Sequence, residues 1–276
     1  MRRRLLVQGD GGALQGVLHD AGFWPALGDG KVTSLRRILI WISGASAGLG
    51  AALAATIPFE NAELVDLSRR GGTPGAHHVA VDLADPESWP VVENDFQQRI
   101  ETSDPDLVVF IHNAGTLTPL GSADRVDTAE YTRNVLLNSA SAQVLGHSFL
   151  RAVAGRECEQ HLIMISSGAA IRPHEGEASY CAGKAGIDQW VRTVGLEQRR
   201  RSPGCRVISV SPGALDTDMQ AELRACSPDE VPESTRFREM EALGRLSKPE
   251  NVARIIWSLL DRDLETGSVL HVHDVT

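Results

Sequence analysis

Two apolar runs constrain this chain more than anything else in it. Ile38-Leu39-Ile40-Trp41-Ile42 and Leu107-Val108-Val109-Phe110-Ile111 contain no polar alternation. A strand half-exposed to water alternates apolar and polar residues, so runs like these belong to strands covered on both faces. Runs at 62–67, 78–81, 161–165, 206–210 and 269–272 read as further strands. Helical patterns separate them at 49–56, 86–102, 128–153, 179–200 and 249–261. Strand and helix in alternation predict an α/β fold: one doubly wound domain, with a seven-stranded parallel sheet flanked by helices on both faces.

That pattern begins near Arg36 and runs to the end of the chain. Residues 1–35 hold seven glycines and two Asp-Gly pairs without sustained periodicity, and are expected to be a poorly ordered extension of which residues 1–31 are dispensable. A valine codon can initiate translation, and a start at Val32 leaves 245 residues with every motif below intact. The opening Met-Arg-Arg-Arg is basic, but its apolar run is only Leu5, Leu6 and Val7, too short for a secretion signal. No stretch approaches the roughly 18 apolar residues of a membrane span. Cys158, Cys181, Cys205 and Cys226 have neither CxxC nor metal-ligand spacing and read as thiols of a reducing compartment, so a cytoplasmic protein is expected. A net charge of -9 argues against nucleic acid as a partner.

Directly after the first strand comes Ser43-Gly44-Ala45-Ser46-Ala47-Gly48-Leu49-Gly50, opening a helix. Glycines in such a turn let backbone approach closely, and the helix N-terminus that follows presents free N–H groups to a pyrophosphate. The second strand ends in Leu67-Ser68-Arg69-Arg70. A dinucleotide fold preferring NAD usually places a carboxylate there for the ribose 2′-hydroxyl, and Asp66 lies two residues too early. Ser68 with Arg69 suits a 2′-phosphate, because guanidinium makes paired, charge-assisted hydrogen bonds with phosphate oxygens. NADP(H) is therefore the expected cofactor.

Tyr180 and Lys184 stand four apart in Ser179-Tyr180-Cys181-Ala182-Gly183-Lys184 and share one face of a helix. The chain has only two tyrosines and three lysines, and writes 24 of its 27 positive charges as Arg. A phenol is a poor proton donor near neutrality, and a neighbouring cation is expected to lower its pKa enough for general acid and base work. Thirteen residues before Tyr180, the fifth strand runs out into Ser166-Ser167-Gly168, which puts the Ser167 hydroxyl at the carboxyl edge of the sheet, where ligands of open α/β folds bind. Ser167 can hold a substrate carbonyl oxygen.

In this order and spacing the motifs resemble the short-chain dehydrogenase/reductase family, from about Arg37 to the C-terminus. The resemblance implies a Rossmann fold in which Gly44, Ser46, Gly48, Leu49 and Gly50 cradle the cofactor. Asp82 and Leu83 would lie near the adenine, and Asn113, Ala114 and Gly115 would follow strand four beside the cofactor. Pro212 and Gly213 would continue the cofactor wall, with Thr217 at the carboxamide. It further implies hydride transfer to a carbonyl, with Tyr180 delivering the proton, Ser167 holding the oxygen and Lys184 binding the nicotinamide ribose. A helical asparagine holding a water completes the set; of Asn134 and Asn138, the flanking residues place it at Asn138. The family's usual dimer or tetramer is implied by analogy alone.

A closer likeness is to the benzil and sepiapterin reductase branch, carried by RPHEGEASYCAGKAG, SPGALDTDMQAELR and GRLSKPENVARIIWSLL. It implies a small-molecule carbonyl substrate, most closely a 1,2-diketone such as benzil. Glu177 stands where the branch often has an aromatic residue, His271 where sepiapterin reductases have an aspartate, and Ala47 where the family often has an arginine. Sepiapterin is therefore not the expected substrate. Glu177 is expected near the pocket entrance as an uncompensated carboxylate that repels anions, and Met219 with Leu223 as an apolar wall. The segment 213–246, polar and proline-broken at 224–241, is expected to be a substrate loop. His271 and His273 lack ligand partners, and no metal is expected. The rival reading is a catalytically silent dinucleotide-binding sensor or scaffold, which loss of the Tyr or Lys would favour.

Overall fold

The strands appear where continuous apolar runs require them. The structure, a computed structural model, describes residues 36–275; the expectation for residues 1–35 lies outside these. Seven parallel strands form one sheet: β1 (Ile38–Ser43), β2 (Ala62–Ser68), β3 (His77–Ala80), β4 (Leu107–His112), β5 (Glu159–Ile165), β6 (Arg206–Ser211) and β7 (Val269–His271). Their order is β3-β2-β1-β4-β5-β6-β7. Every residue of β1 and β4 is buried, and Ile38 pairs with Leu107 in register along their length. The strand order reverses between these two, which opens a crevice at their carboxyl ends.

The helices are α1 (Gly48–Ala55), α2 (Trp89–Ser103), α3 (Thr128–Val135), α4 (Ser141–Val153), α5 (Ala178–Gln198), α6 (Asp218–Ala225), α7 (Ser234–Ala242) and α8 (Pro249–Ser258). Successive strand residues point to opposite faces, so Ile38, Ile40 and Ile42 pack with α1 and α8, while Leu39 and Trp41 pack with α2, α4 and α5. On the second face Trp41, Phe96, Phe110 and Phe149 are fully buried with ring centroids 5.0–6.3 Å apart. Truncating one such ring to alanine costs about 3–5 kcal/mol. On the first face Trp257 of α8 donates its indole N–H to the Leu53 carbonyl of α1, 3.0 Å away.

Three expectations need correction. The helical pattern at 128–153 is not one helix: a π-helical turn at Leu136–Ala140 separates α3 from α4. The segment expected as a polar loop at 224–241 contains most of α7, a helix that buries only Ser234. The last strand ends at His271, since Val272 already belongs to a 3-10 turn. No helix among the described residues is long and apolar enough to cross a membrane.

Candidate active site

The turn after β1 is closed by backbone contact. Gly44 has φ +68°, and a Cβ on Gly50 would lie 2.0 Å from the Gly44 carbonyl oxygen and 2.7 Å from Asn113 Nδ2. Ala47, extended at the start of α1, supplies no side-chain cap. The first-turn N–H groups thus have no side-chain acceptor of the helix's own, as an anion site requires. The turn is tied to β4 through Ser43, whose Oγ accepts from the backbone N–H of Asn113 and of Ala114, each at 2.9 Å, while Asn113 Nδ2 donates to the Ser43 carbonyl at 3.1 Å.

At the end of β2, Ser68 Oγ accepts from the Gly71 N–H at 3.1 Å, and Arg69 and Arg70 are exposed beside it. Asp66 is fully buried and accepts from Thr73 Oγ at 2.8 Å, away from any ribose contact at the strand end. After β3, Asp82 Oδ1 accepts from the Ala84 N–H at 3.0 Å and Oδ2 from Arg133 Nη2 at 2.9 Å. Burial pushes this carboxyl up, but the hydrogen bonds from Arg133 and Ala84 and the charges of Arg133 and Arg69 outweigh it and hold the pKa below the ordinary carboxylate value.

At the other end, Ser167 follows β5 in extended conformation and its Oγ accepts from the Ala169 N–H at 3.2 Å. Tyr180 and Lys184, one turn apart on α5, are buried, and Lys184 Nζ donates to the Ile165 carbonyl at 2.8 Å. The expectation that a cation lowers the phenol pKa is not met. Burial pushes Tyr180 up to about 12, opposed by a hydrogen bond with the Ser167 side chain and reinforced by the charge of Glu177. Burial also brings Lys184 down to about 8, partly offset by Asp188. Desolvation disfavours the charged form of both groups, so the phenol keeps its proton and the amine binds its own less tightly.

Asn138 sits fully buried in the π-helical turn. Its Oδ1 accepts from the Thr116 N–H at 3.0 Å, and its amide donates to the Thr116 carbonyl at 2.7 Å and to Asn134 Oδ1 at 2.8 Å. Both amide N–H groups are engaged, leaving this side chain one acceptor lone pair for a water. Asn134, the other candidate, donates to the Thr118 carbonyl at 2.9 Å, so the two asparagines together latch the loop after β4.

A cavity of about 920 Å³ runs along the carboxyl edge of the sheet and joins the two ends. Ser46, Gly48, Leu49, Leu83, Gly115, Pro212, Gly213 and Thr217 line it along with Gly44, Ser68, Arg69, Asp82, Asn113, Ala114, Ser167, Tyr180 and Lys184; of the sequence candidates only Gly50, Asn134 and Asn138 stand behind its wall. Thr217 caps α6, and a Cβ on Gly48 would meet its methyl at 3.4 Å, which brings the loop after β6 against the glycine turn. Around Tyr180, Leu117, Ala169, Leu223 and Val231 form an apolar cluster, joined by Met219 and Phe237. Met219 and Leu223 both line the cavity, as expected of an apolar wall.

The expectation for Glu177 is overturned. Its side chain is buried, and the carboxylate lies 3.4 Å from Nδ1 of His174, which also stands 3.6 Å from the Glu233 carboxylate at the start of α7. It is neither at the surface nor uncompensated. The hydrogen bond to Glu177 raises His174, against burial, with the charges of both carboxylates adding. His271 and His273 stack with centroids 5.0 Å apart, and the His273 N–H donates to His271 Nδ1 at 3.2 Å.

The sequence profile of the family described as short chain dehydrogenase matches residues 39–227. This chain is a short-chain dehydrogenase. It is 31% identical over 236 residues to a benzil reductase ((S)-benzoin forming) of Bacillus subtilis (strain 168), spanning 84% of this chain and 97% of that protein. It is 29% identical over 269 residues to the sepiapterin reductase of Bos taurus, spanning 89% and 98%. A short chain dehydrogenase/reductase from Saccharomyces cerevisiae superposes with a TM-score of 0.73 at 18% identity, over 86% of this chain and 96% of that one, a likeness of fold.

Membership makes the protein an oxidoreductase of carbonyl or CH–OH groups that uses a nicotinamide dinucleotide. The site fits that cofactor: its glycine turn has no room for a Cβ at position 50, and an uncapped helix end opens the cavity. Sequence reasoning about this dehydrogenase missed Ser43, Arg133, His174 and Glu233. Ser43 and His174 had local signals, a hydroxyl closing an otherwise apolar strand and a histidine three residues before Glu177; Arg133 and Glu233 meet their partners only across the fold.

Proposed function

We propose that this short-chain dehydrogenase is an NADPH-dependent carbonyl reductase that converts a neutral 1,2-diketone to an α-hydroxy ketone. The observation that carries the reading is a buried, protonated Tyr180 next to Ser167, in a cavity whose substrate end is apolar. The named activity of the Bacillus subtilis relative supports the diketone.

When bound, the nicotinamide cofactor supplies the hydride received by the carbonyl carbon. Ser167 donates its hydroxyl proton in a hydrogen bond to the carbonyl oxygen and fixes the substrate's orientation. Tyr180 delivers its proton to that oxygen, and its high pKa keeps the phenol in the acid form required. Lys184, anchored to the Ile165 carbonyl, keeps two further N–H donors for a ribose. Asn138 holds the loop after β4 in place and retains one acceptor position for a relay water. Ser68 and Arg69 favour NADPH, since Asp66 is buried against Thr73 and no carboxylate follows it at the strand end. Leu117, Leu223 and Val231 exclude water from the substrate end and favour apolar substituents.

The test is cofactor oxidation by the full chain with NADPH or NADH against benzil, simple ketones, aldehydes and 2-keto acids, with product analysis. The expected result is the highest kcat/KM for NADPH with benzil and formation of the α-hydroxy ketone. Higher kcat/KM for 2-keto acids overturns the diketone assignment. No oxidation of either cofactor with any carbonyl overturns the reductase reading.

A further inference from the structure

The ion pair between Arg133 and Asp82 lies at the cofactor end of the cavity, and both residues line it. The two are 51 residues apart in sequence, and the guanidinium Nη2 stands 2.9 Å from Asp82 Oδ2. Both side chains of this contact are partly open to solvent, at 51% and 36%. Exposed ion pairs of this kind add little to stability, so a folding role does not explain the placement.

What the pair does is fix a guanidinium. Asp82 is held from the other side by the Ala84 N–H, so its carboxylate has little freedom to turn. Arg133 is rooted on α3 beside Asn134, a fully buried residue whose amide reaches the carbonyls of Thr116 and Thr118. The start of α3 is capped by Asp127, whose carboxylate accepts from the Glu130 N–H. Both ends of the contact are therefore set by backbone hydrogen bonds, and one of the five guanidinium N–H groups is committed to Asp82.

A planar cation held at a cavity wall is matched to a flat aromatic ligand. Guanidinium planes pair with π faces through cation–π attraction and stacking, whereas a lysine ammonium offers only a point charge. A carboxylate beside the plane is an acceptor for an exocyclic amine such as that of adenine, which is a hydrogen-bond donor. Leu83, adjacent to Asp82 and 4% exposed, supplies apolar surface on the same wall.

We infer that Arg133 is a cofactor-binding residue: held by Asp82, it forms the wall that takes the adenine ring. The inference rests on the dinucleotide reading of the site and adds a residue to it. It separates Arg133 from Arg69, which the proposed function assigns to the ribose 2′-substituent at the end of β2. Arg133 therefore serves NADPH and NADH alike, while Arg69 tells them apart.

Direct binding to the full chain tests this, by fluorescence titration with NADPH, NADH and reduced nicotinamide mononucleotide, which lacks the adenylate. Arg133→Ala is expected to weaken NADPH and NADH by a similar factor, between about 3- and 30-fold, and to leave the mononucleotide unchanged. Arg133→Lys should recover only part of the loss, because it restores charge without the plane. Unchanged binding of both dinucleotides in Arg133→Ala overturns the inference. Loss confined to NADPH overturns it in favour of a 2′-phosphate contact. An equal loss for the mononucleotide overturns it in favour of general damage to the site. Failure of the unaltered protein to bind any of the three overturns the dinucleotide reading itself, and the inference with it.

Discussion

Lys184 holds its ammonium 5.6 Å from the centre of the Tyr180 ring while donating to the Ile165 carbonyl at 2.8 Å. The amine is thus anchored to β5 and is not hydrogen-bonded to the phenol. It meets the ring as a cation over a π face, and burial dominates the proton affinity of both groups.

Removing the phenolic hydroxyl should separate chemistry from binding. Tyr180→Phe is expected to lower kcat by roughly 10² or more while leaving the Kd for NADPH nearly unchanged, since proton delivery is lost and the remaining cofactor contacts stay. Lys184→Met should impair both. Steady-state kinetics with a parallel binding titration reads the two, and near-normal kcat in Tyr180→Phe places the acid elsewhere.

Lys184 also carries a stability cost with a defined sign. Its pKa falls from 10.5 to about 8 on folding, so between those values the unfolded chain binds a proton that the folded chain has released, and stability rises with pH. Below about pH 8 the buried charge is present in full. Lys184→Met is therefore expected to melt at a higher temperature than the unaltered protein at pH 7, with the gap narrowing toward pH 10.5. Calorimetry at both pH values checks this; a lower Tm for the variant at pH 7 contradicts it.

His174 has the opposite dependence. Its pKa is raised by Glu177, with Glu233 adding to it, so its contribution is fully present below about 6.5 and is lost as pH rises through the folded-state value. The ion pairs join the start of α5 to the start of α7. Tryptic cleavage after Arg236 or Arg238 should accelerate as pH rises through that range, relative to an unfolded control peptide. His174→Gln should abolish the difference, and a pH-independent ratio in the unaltered protein would falsify the proposed coupling.

Cofactor choice should reverse with two substitutions at the end of β2. Ser68→Asp introduces a carboxylate that repels a 2′-phosphate and accepts from a ribose hydroxyl, and Arg69→Leu removes the cation. The double variant is expected to prefer NADH by kcat/KM. Equal use of both cofactors by the unaltered protein would remove the basis for the exchange.

The sheet was legible because β1 and β4 are buried on both faces, and burial of that kind leaves a continuous apolar run in the sequence. Ser167, Tyr180 and Lys184 were legible because two of them share one helical face and the third ends a strand. The π-helical turn was not, since the 128–153 segment keeps a helical pattern across it. Nor was α7, whose charged residues leave no apolar stripe to read. The pairing of His174 with Glu233, and the height of the Tyr180 pKa, depend on what packs against them, which one-dimensional spacing does not encode.

The thin anchoring of α7 has an evolutionary consequence. Tyr180 and Lys184 belong to a helix that buries ten of its residues, so most changes there damage the fold before they alter chemistry. By contrast, α7 buries one residue, yet Phe237 and Met240 on it border the cavity. Mutations in this helix reach the substrate without passing through the core, so substrate range can drift while the reaction itself is conserved. Descendants of this chain would diversify first in what they reduce and last in how.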